Sequence, residues 1–159
     1  MGDGPMNIFE NPALARCVVI AAAGVVVGLM LSLGRGIGRL VWKYKQEATA
    51  VPVEELLPAI AMAATPITKV FYAFVVVLSL SQRNLEADAL STVATVACAV
   101  FALVAVVQGA VASKLINTPT AKEGIIGTFR FKLAMLSLVE NLAIFALVGA
   151  IIFSARLSA

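Results

Sequence analysis

Four long apolar stretches, separated by polar or turn-rich segments, constrain the fold of this chain more than any other feature. Each is close to the ~20 residues that a helix needs to cross the ~30 Å hydrocarbon core of a bilayer. A continuous apolar run of that length satisfies its backbone hydrogen bonds in lipid only as a helix. The sequence therefore predicts an all-α integral membrane protein with four transmembrane spans, numbered 1 to 4 along the chain: Leu14–Leu33, Leu56–Leu80, Ala89–Ala112 and Leu133–Ala155.

The composition excludes most other classes of protein. Hydrophobic residues make up 61% of the 159 residues and charged residues 13%, whereas a soluble domain is about half apolar and a quarter charged. The chain has no histidine, which removes the commonest general base and metal ligand. Its two cysteines, Cys17 and Cys98, lie inside apolar stretches and are predicted to be packing residues. The sequence contains no catalytic triad or pair of carboxylates, so we expect a non-catalytic chain without a bound cofactor.

The basic residues predict the orientation of the spans. Eight of the twelve Lys and Arg residues follow span 1 or lie between spans 3 and 4. The positive-inside rule places both connections in the cytoplasm and both termini on the opposite side. We therefore expect an N-terminal extension (residues 1–13) and two hairpins (residues 14–82 and 83–159), each with its turn facing the cytoplasm. The eight basic residues are Arg35, Arg39, Lys43, Lys45, Lys114, Lys122, Arg130 and Lys132; Arg130 and Lys132 are expected to extend to the cytoplasmic interface.

Small residues recur every four positions in span 1, at Gly24, Gly28, Ser32 and Gly36. Such a row makes one helix face nearly flat, so that another backbone can approach closely. Two interpretations are open: ordinary helix packing within one subunit, or a tight inner ring built from spans 1 and 3 of many copies. Span 3 carries a looser row of small residues, namely Ala94, Cys98, Ala102, Ala105, Gly109 and Ala112.

Two ionisable residues lie deep inside the spans, Lys69 in span 2 and Glu140 in span 4. A charge at the centre of a bilayer costs about 2.5–3.5 kcal/mol or more, so it is expected to have a partner or a function. Lys69 is eleven residues from Leu80, and Glu140 is thirteen from Phe153. At 1.5 Å per residue their depths differ by only ~3 Å, and the two side chains can meet if spans 2 and 4 pack together.

Other polar residues lie near the same level. Gln108 is deep in span 3, and Thr65, Thr68 and Tyr72 share one face of span 2 because their spacing is i, i+3, i+7. Their oxygen atoms, with a carboxylate, suit a small hard cation; alternatively the carboxylate alone carries a proton. A third interpretation is a static Glu140–Lys69 ion pair that only fixes the packing of the helices. Pro66 is predicted to kink span 2 and to free backbone carbonyls near these residues.

Together these features resemble the double-hairpin proteolipid of the membrane rotor of rotary V-type ATPases, also called the c subunit or subunit K. The resemblance covers the four spans, and its motifs in the second hairpin are Val107–Ala112, Gly124–Ile126 and Leu138–Asn141. The first hairpin looks like a duplicated copy that has no acidic residue near Ile67, in the segment Thr65–Phe74. The resemblance implies a homo-oligomeric ring, with spans 1 and 3 inside and spans 2 and 4 outside.

The resemblance also implies a role for each polar residue. Glu140 would carry the transported ion, Gln108, Thr68 and Tyr72 would complete its site, and Thr65 would add a backbone carbonyl. A sodium ion would be held by Glu140, Gln108 and Thr68, whereas a proton would be carried on Glu140 itself.

Lys69 departs from the family pattern, because it stands where a glutamine would be and can pair with Glu140 in place of a cation.

The implied partners are copies of the same chain, a membrane stator subunit, lipid, and central-stalk subunits at the basic cytoplasmic loops, with no nucleic acid. ATP chemistry would belong to other subunits. Two alternatives stay open: a small secondary transporter with Glu140 as its coupling carboxylate, and a structural membrane protein with a static ion pair.

Overall fold

The computed structural model describes residues 12–82, 87–118 and 128–157. All secondary structure in this part of the chain is helical, which confirms the predicted all-α, multi-pass integral membrane fold. Most of the N-terminal extension, Arg83, Lys122 and the Gly124–Ile126 motif lie outside the described residues. Four helices are long and apolar enough to cross a membrane: Leu14–Gln46, Val53–Ser81, Asp88–Ile116 and Phe129–Arg156.

The first span is a continuous helix that extends well beyond its apolar stretch. Arg35, Arg39, Lys43 and Lys45, which the sequence predicts in a connection, lie on this helix instead, and residues 47–52 form the connection. Lys and Arg are good helix formers, and their long side chains can reach water while their aliphatic stems lie along the helix. The helix therefore continues beyond the end of the apolar stretch. Its segments are α1 (Pro12–Leu29), a π-helical segment (Met30–Ile37) and α2 (Gly38–Gln46).

Pro66 interrupts the second span, as predicted, and the carbonyls that it frees are paired. A proline has no amide hydrogen to donate to the carbonyl four residues earlier, and this carbonyl, on Met62, accepts a hydrogen bond from Thr65 Oγ1 at 2.8 Å. The neighbouring Ala63 carbonyl accepts the Ser32 hydroxyl of the first span at 2.9 Å. The interruption is therefore held by two specific hydrogen bonds. The segments of this span are α3 (Val53–Ala63), a 3-10 turn (Thr65–Ile67) and α4 (Thr68–Ser81).

The third and fourth spans are single helices, α5 (Ala87–Ile116) and α6 (Phe129–Leu157). α5 is the central helix, because it contacts α1, α4 and α6. α6 is the least covered, since only 11% of its most apolar segment is buried, against 44% for the third span. Most of the α6 surface is therefore free to contact lipid or another protein.

The two rows of small residues meet inside one chain. A Cβ atom on Gly109 would lie 2.6 Å from the carbonyl carbon of Gly28, and a Cβ on Gly24 would lie 2.6 Å from the Cβ of Ala102. The backbones of spans 1 and 3 are therefore in direct contact, as the rows indicate. Because both partners belong to the same chain, packing within one subunit explains the rows, and the described contacts require no ring.

Candidate functional site at the Lys69–Glu140 pair

Two apolar clusters leave a polar layer between them, near the middle of the helices. In each of three spans, a polar residue that contacts the other two lies between a member of one cluster and a member of the other. Lys69, Gln108 and Glu140 therefore share one level, which confirms the similar depth predicted for Lys69 and Glu140. The flanking residues are Ala63 and Ala73 around Lys69, Val104 and Ala112 around Gln108, and Leu136 and Ala143 around Glu140.

The interruption at Pro66 positions the part of the site that the second span contributes. A proline is favoured in the first turn of a helix, where its missing amide hydrogen costs nothing. Helix α4 accordingly begins just after it, and Thr68 and Lys69 lie in the first turn of α4. Both side chains then face the level of Gln108 and Glu140.

The Lys69 ammonium is the centre of the site. Its side chain is 0% exposed, and Nζ donates to Thr68 Oγ1 at 2.8 Å and to Gln108 Oε1 at 2.5 Å. Its third contact is the ion pair with Glu140 Oε2. An ammonium has three hydrogen atoms to donate and accepts none, so these three oxygens use its full capacity.

The Glu140 carboxylate is bonded through both oxygens. Oε1 accepts the Thr68 hydroxyl at 3.1 Å, and Oε2 accepts Gln108 Nε2 at 2.8 Å in addition to Lys69. The side chain of Glu140 is 19% exposed, whereas Gln108 is 1% exposed. The polar layer therefore opens to the surface of the chain at the carboxylate, next to the exposed Thr68.

Tyr72 borders the site, and Thr65 lies one step away from it. The Tyr72 ring centroid is 5.8 Å from Lys69 Nζ, and its phenol is near enough to interact with Glu140. The Thr65 carbonyl lies 3.0 Å from Thr68 Oγ1 and shares the single hydrogen of that hydroxyl with Glu140 Oε1, so Thr65 touches the site through Thr68. The structure thus brings together the predicted residues of spans 2, 3 and 4, with Thr65 at the margin.

Two contacts of the site have weak or no signals in the sequence. The Tyr72 ring lies 6.0 Å from the ring of Phe101, at an angle of 58°. Phe101 is seven residues before Gln108 and therefore on the same face of α5, which is the signal that could have found it. The Leu136 carbonyl is 3.5 Å from Gln108 Nε2, and no side-chain pattern marks a backbone acceptor in an apolar helix.

The predicted small-residue positions Gly24, Gly28, Ser32 and Gly36 lie outside the polar layer, on the interface between the first span and its neighbours.

Among the described residues, no group of three or more His, Cys, Asp or Glu side chains could hold a metal ion. Oxygen atoms that could bind a monovalent cation are present in the site, but they already accept hydrogen bonds from the Lys69 ammonium.

Arg130 and Lys132, both expected to extend to the cytoplasmic interface, differ in exposure. Arg130 is exposed, which is compatible with an interfacial position. Lys132 is only 6% exposed, and its Nζ donates to the Thr118 carbonyl at 2.8 Å. It lies on the inward face of the first turn of α6, where it reaches this carbonyl just beyond the end of α5.

Neither a protein-family model nor a curated protein matches this chain. A functional assignment therefore depends on the chemistry of the polar layer and on its position in the membrane fold.

Proposed function

We propose that this chain is an ion-translocating subunit of the rotor ring of a rotary V-type ATPase or ATP synthase, with Glu140 as the ion carrier. One observation carries the proposal: Glu140 is the only acidic residue within the predicted apolar stretches, and it lies between two apolar clusters on the least covered helix. A carboxylate at that depth costs about 2.5–3.5 kcal/mol or more, and such residues are typical of ion pathways.

The geometry around Glu140 supports this role. Thr68 and Gln108 hold the carboxylate by hydrogen bonds from two other spans, which fixes its orientation. Its 19% exposed fraction leaves a path by which a group on a neighbouring subunit reaches it. Copies of the chain would form the ring, a membrane stator subunit would face the carboxylate, and the cargo would be Na⁺ or H⁺. Hydrolysis or synthesis of ATP would take place in other subunits, so the chain itself is not an enzyme.

The oligomeric state is the first test of this proposal. Native mass spectrometry and single-particle imaging of the protein in detergent should give a closed ring of many copies. A dimer would instead favour the secondary transporter, and a monomer or an irregular assembly the structural protein. Either of those results would contradict the rotor.

The second test is the variant Glu140→Gln. The amide is nearly isosteric with the carboxylate but cannot gain or lose charge, so ion-coupled transport should be lost while the oligomer is retained. Ser137→Ala is the matched control, because Ser137 is an exposed α6 residue whose hydroxyl donates to the Leu133 carbonyl of its own helix; it should transport normally. Normal transport by Glu140→Gln would reject the assignment.

The basic end of the fold is the proposed docking surface for the central stalk. Arg39 and Lys43 line a cavity of about 400 Å³ together with Glu54 and Glu55, so the charges there are mixed. Replacing Arg39 and Lys43 by glutamate should weaken the attachment of an acidic stalk surface, because like charges then face each other. Unchanged attachment, with an unchanged orientation in the membrane, would mean that these residues act only as topology signals.

A second candidate is a structural membrane protein in which the Glu140–Lys69 pair fixes the packing of helices. The observation in its favour is that the ammonium already has three acceptors, so the site needs no external ion. This candidate predicts that Glu140→Gln has no transport phenotype, because the chain then carries no ion. The transporter alternative receives less support, because the carbonyls freed around Pro66 are already bonded to Thr65 and Ser32.

A further inference from the structure

We propose that the oxygens of Thr68, Gln108 and Glu140 form a binding site for a monovalent cation whose occupant is the chain's own Lys69 ammonium. Lys69 is then the residue that determines specificity: it excludes Na⁺ and K⁺ from the natural protein, and its removal opens the site to them. The inference deepens the proposed function, and it rests on that function only for the identity of the transported ion.

The first argument is the coordination of the ammonium. Each of its three oxygens comes from a different span, through α4, α5 and α6. The distances to Thr68 Oγ1 and Gln108 Oε1, 2.8 and 2.5 Å, are those of charge-assisted hydrogen bonds. A hydroxyl, an amide carbonyl and a carboxylate are also the oxygen groups that hard cations prefer. The same three atoms therefore bind Lys69 or a small cation, but not both.

The second argument is the net charge of the site. Glu140 and Lys69 together are neutral, and the apolar clusters lie on both sides of them. Addition of an external cation to the intact pair would leave one net positive charge at this depth, which the membrane strongly disfavours. The intact pair therefore leaves no place for Na⁺ or K⁺, and in the context of the proposed rotor these ions are not the cargo.

The third argument is burial. Lys69 is 0% exposed and Glu140 is 19% exposed, so the ammonium lies behind the carboxylate as seen from the surface. Tyr72 faces Lys69 from the same helix at 5.8 Å and further covers it. An external cation that approached from the surface would have to displace an ammonium that has no exposed side.

The experiment compares the full-length protein in detergent with Lys69→Met, in which an apolar chain of similar length replaces the ammonium. A hydrophobic carbodiimide adds to a protonated carboxyl: the oxygen bonds to the central carbon, and the carboxyl proton moves to a carbodiimide nitrogen. Mass spectrometry of the Glu140 adduct therefore reports whether a bound cation keeps this carboxyl ionised. Labelling is measured in sodium chloride, in potassium chloride and in N-methyl-D-glucamine chloride, whose cation is too large for the site.

The expected result has three parts. The wild type is labelled more slowly than Lys69→Met in the large organic cation, and at the same rate in all three salts, because the Lys69 ammonium keeps Glu140 ionised. Lys69→Met is labelled in the large organic cation and loses that labelling when Na⁺ or K⁺ is added. The double variant Lys69→Met/Glu140→Gln is the matched control, and it gives no adduct at this position in any salt.

Sodium protection of the wild type would overturn the inference, and so would labelling of Lys69→Met that no cation changes. If Lys69→Met does not fold, Lys69→Gln carries the same expectation. The outcomes are separate from those of the rotor proposal. A wild type whose labelling is insensitive to sodium but which forms no ring would reject the rotor and leave this inference standing. A wild type that forms a ring and whose labelling is slowed by sodium would support the rotor and overturn this inference.

Discussion

Replacing Gly109 by alanine should destabilise the protein by roughly 1–3 kcal/mol, the usual cost of overpacking, although it adds a single methyl group. The new Cβ would lie 2.6 Å from the Cα and the carbonyl carbon of Gly28. Carbon atoms in contact are normally about 3.5–4.0 Å apart, so the first span and α5 must separate by about 1 Å. The atoms in the way belong to a helix backbone, which cannot rotate aside as the end of a side chain can. We therefore expect a cost near the upper limit.

Unfolding in mixed micelles, followed by circular dichroism as the SDS fraction rises, would measure this change in free energy. Gly149→Ala is the matched control: it is the same substitution within a membrane helix, and its Cβ would meet no atom within 4 Å. It should leave stability unchanged or slightly higher, because alanine has the better helix propensity. Equal stability of the two variants would refute the close contact of the first and third spans.

Two further substitutions test the hydrogen bonds that shape the first two spans, by the same unfolding measurement. Ser32→Ala should cost about 1 kcal/mol, because it leaves the Ala63 carbonyl without its 2.9 Å partner at the Pro66 interruption; no change would mean that this bond does not hold the interruption. Ala48→Gly should stabilise by about 1 kcal/mol, because Ala48 has φ of 51°, a left-handed conformation that glycine adopts without strain. A loss of stability would contradict the turn observed after α2.

Much of the fold and of the site follows from one-dimensional features of the sequence. The number of spans follows from the lengths of the apolar stretches. The meeting of Lys69 and Glu140 follows from their similar distances to the ends of their spans. The missing amide hydrogen of Pro66 predicts that nearby backbone carbonyls need another hydrogen-bond donor, although the sequence did not identify Ser32 as one of these donors. These features are local, or depend only on depth, and depth in a bilayer is nearly proportional to residue number.

The features that escaped prediction depend on contacts between spans. The basic residues Arg35 to Lys45 mark the end of the hydrophobic stretch but not the end of the helix, because a helix can continue into water. Lys132 turns inward because a carbonyl of Thr118 lies within its reach, and its sequence neighbours give no sign of that carbonyl. The small residues of span 1 indicated a close approach of helices, but their spacing does not say whether the partner belongs to the same chain.

Stability measurements on the Lys69–Glu140 pair can distinguish a structural role from a role in ion transfer. Removal of either partner leaves the other group without its counter-ion in an apolar layer, where it must either stay charged or become neutral at a cost, so Lys69→Met or Glu140→Gln alone should each cost about 3–5 kcal/mol. All variants are unfolded in a dodecyl sulfate salt of the large organic cation, since the Na⁺ of SDS would replace the missing ammonium in Lys69→Met.

The double variant Lys69→Met/Glu140→Gln removes both charges, and replacement of a buried pair by uncharged groups of similar size is often neutral or stabilising. We therefore expect it to be at least as stable as the wild type when both are unfolded in mixed micelles. Such a result means that the pair does not serve stability, and it favours a role in ion transfer. A double variant that is less stable than the wild type would show that the pair itself holds the helices together, and the structural candidate would then be the better account of the chain.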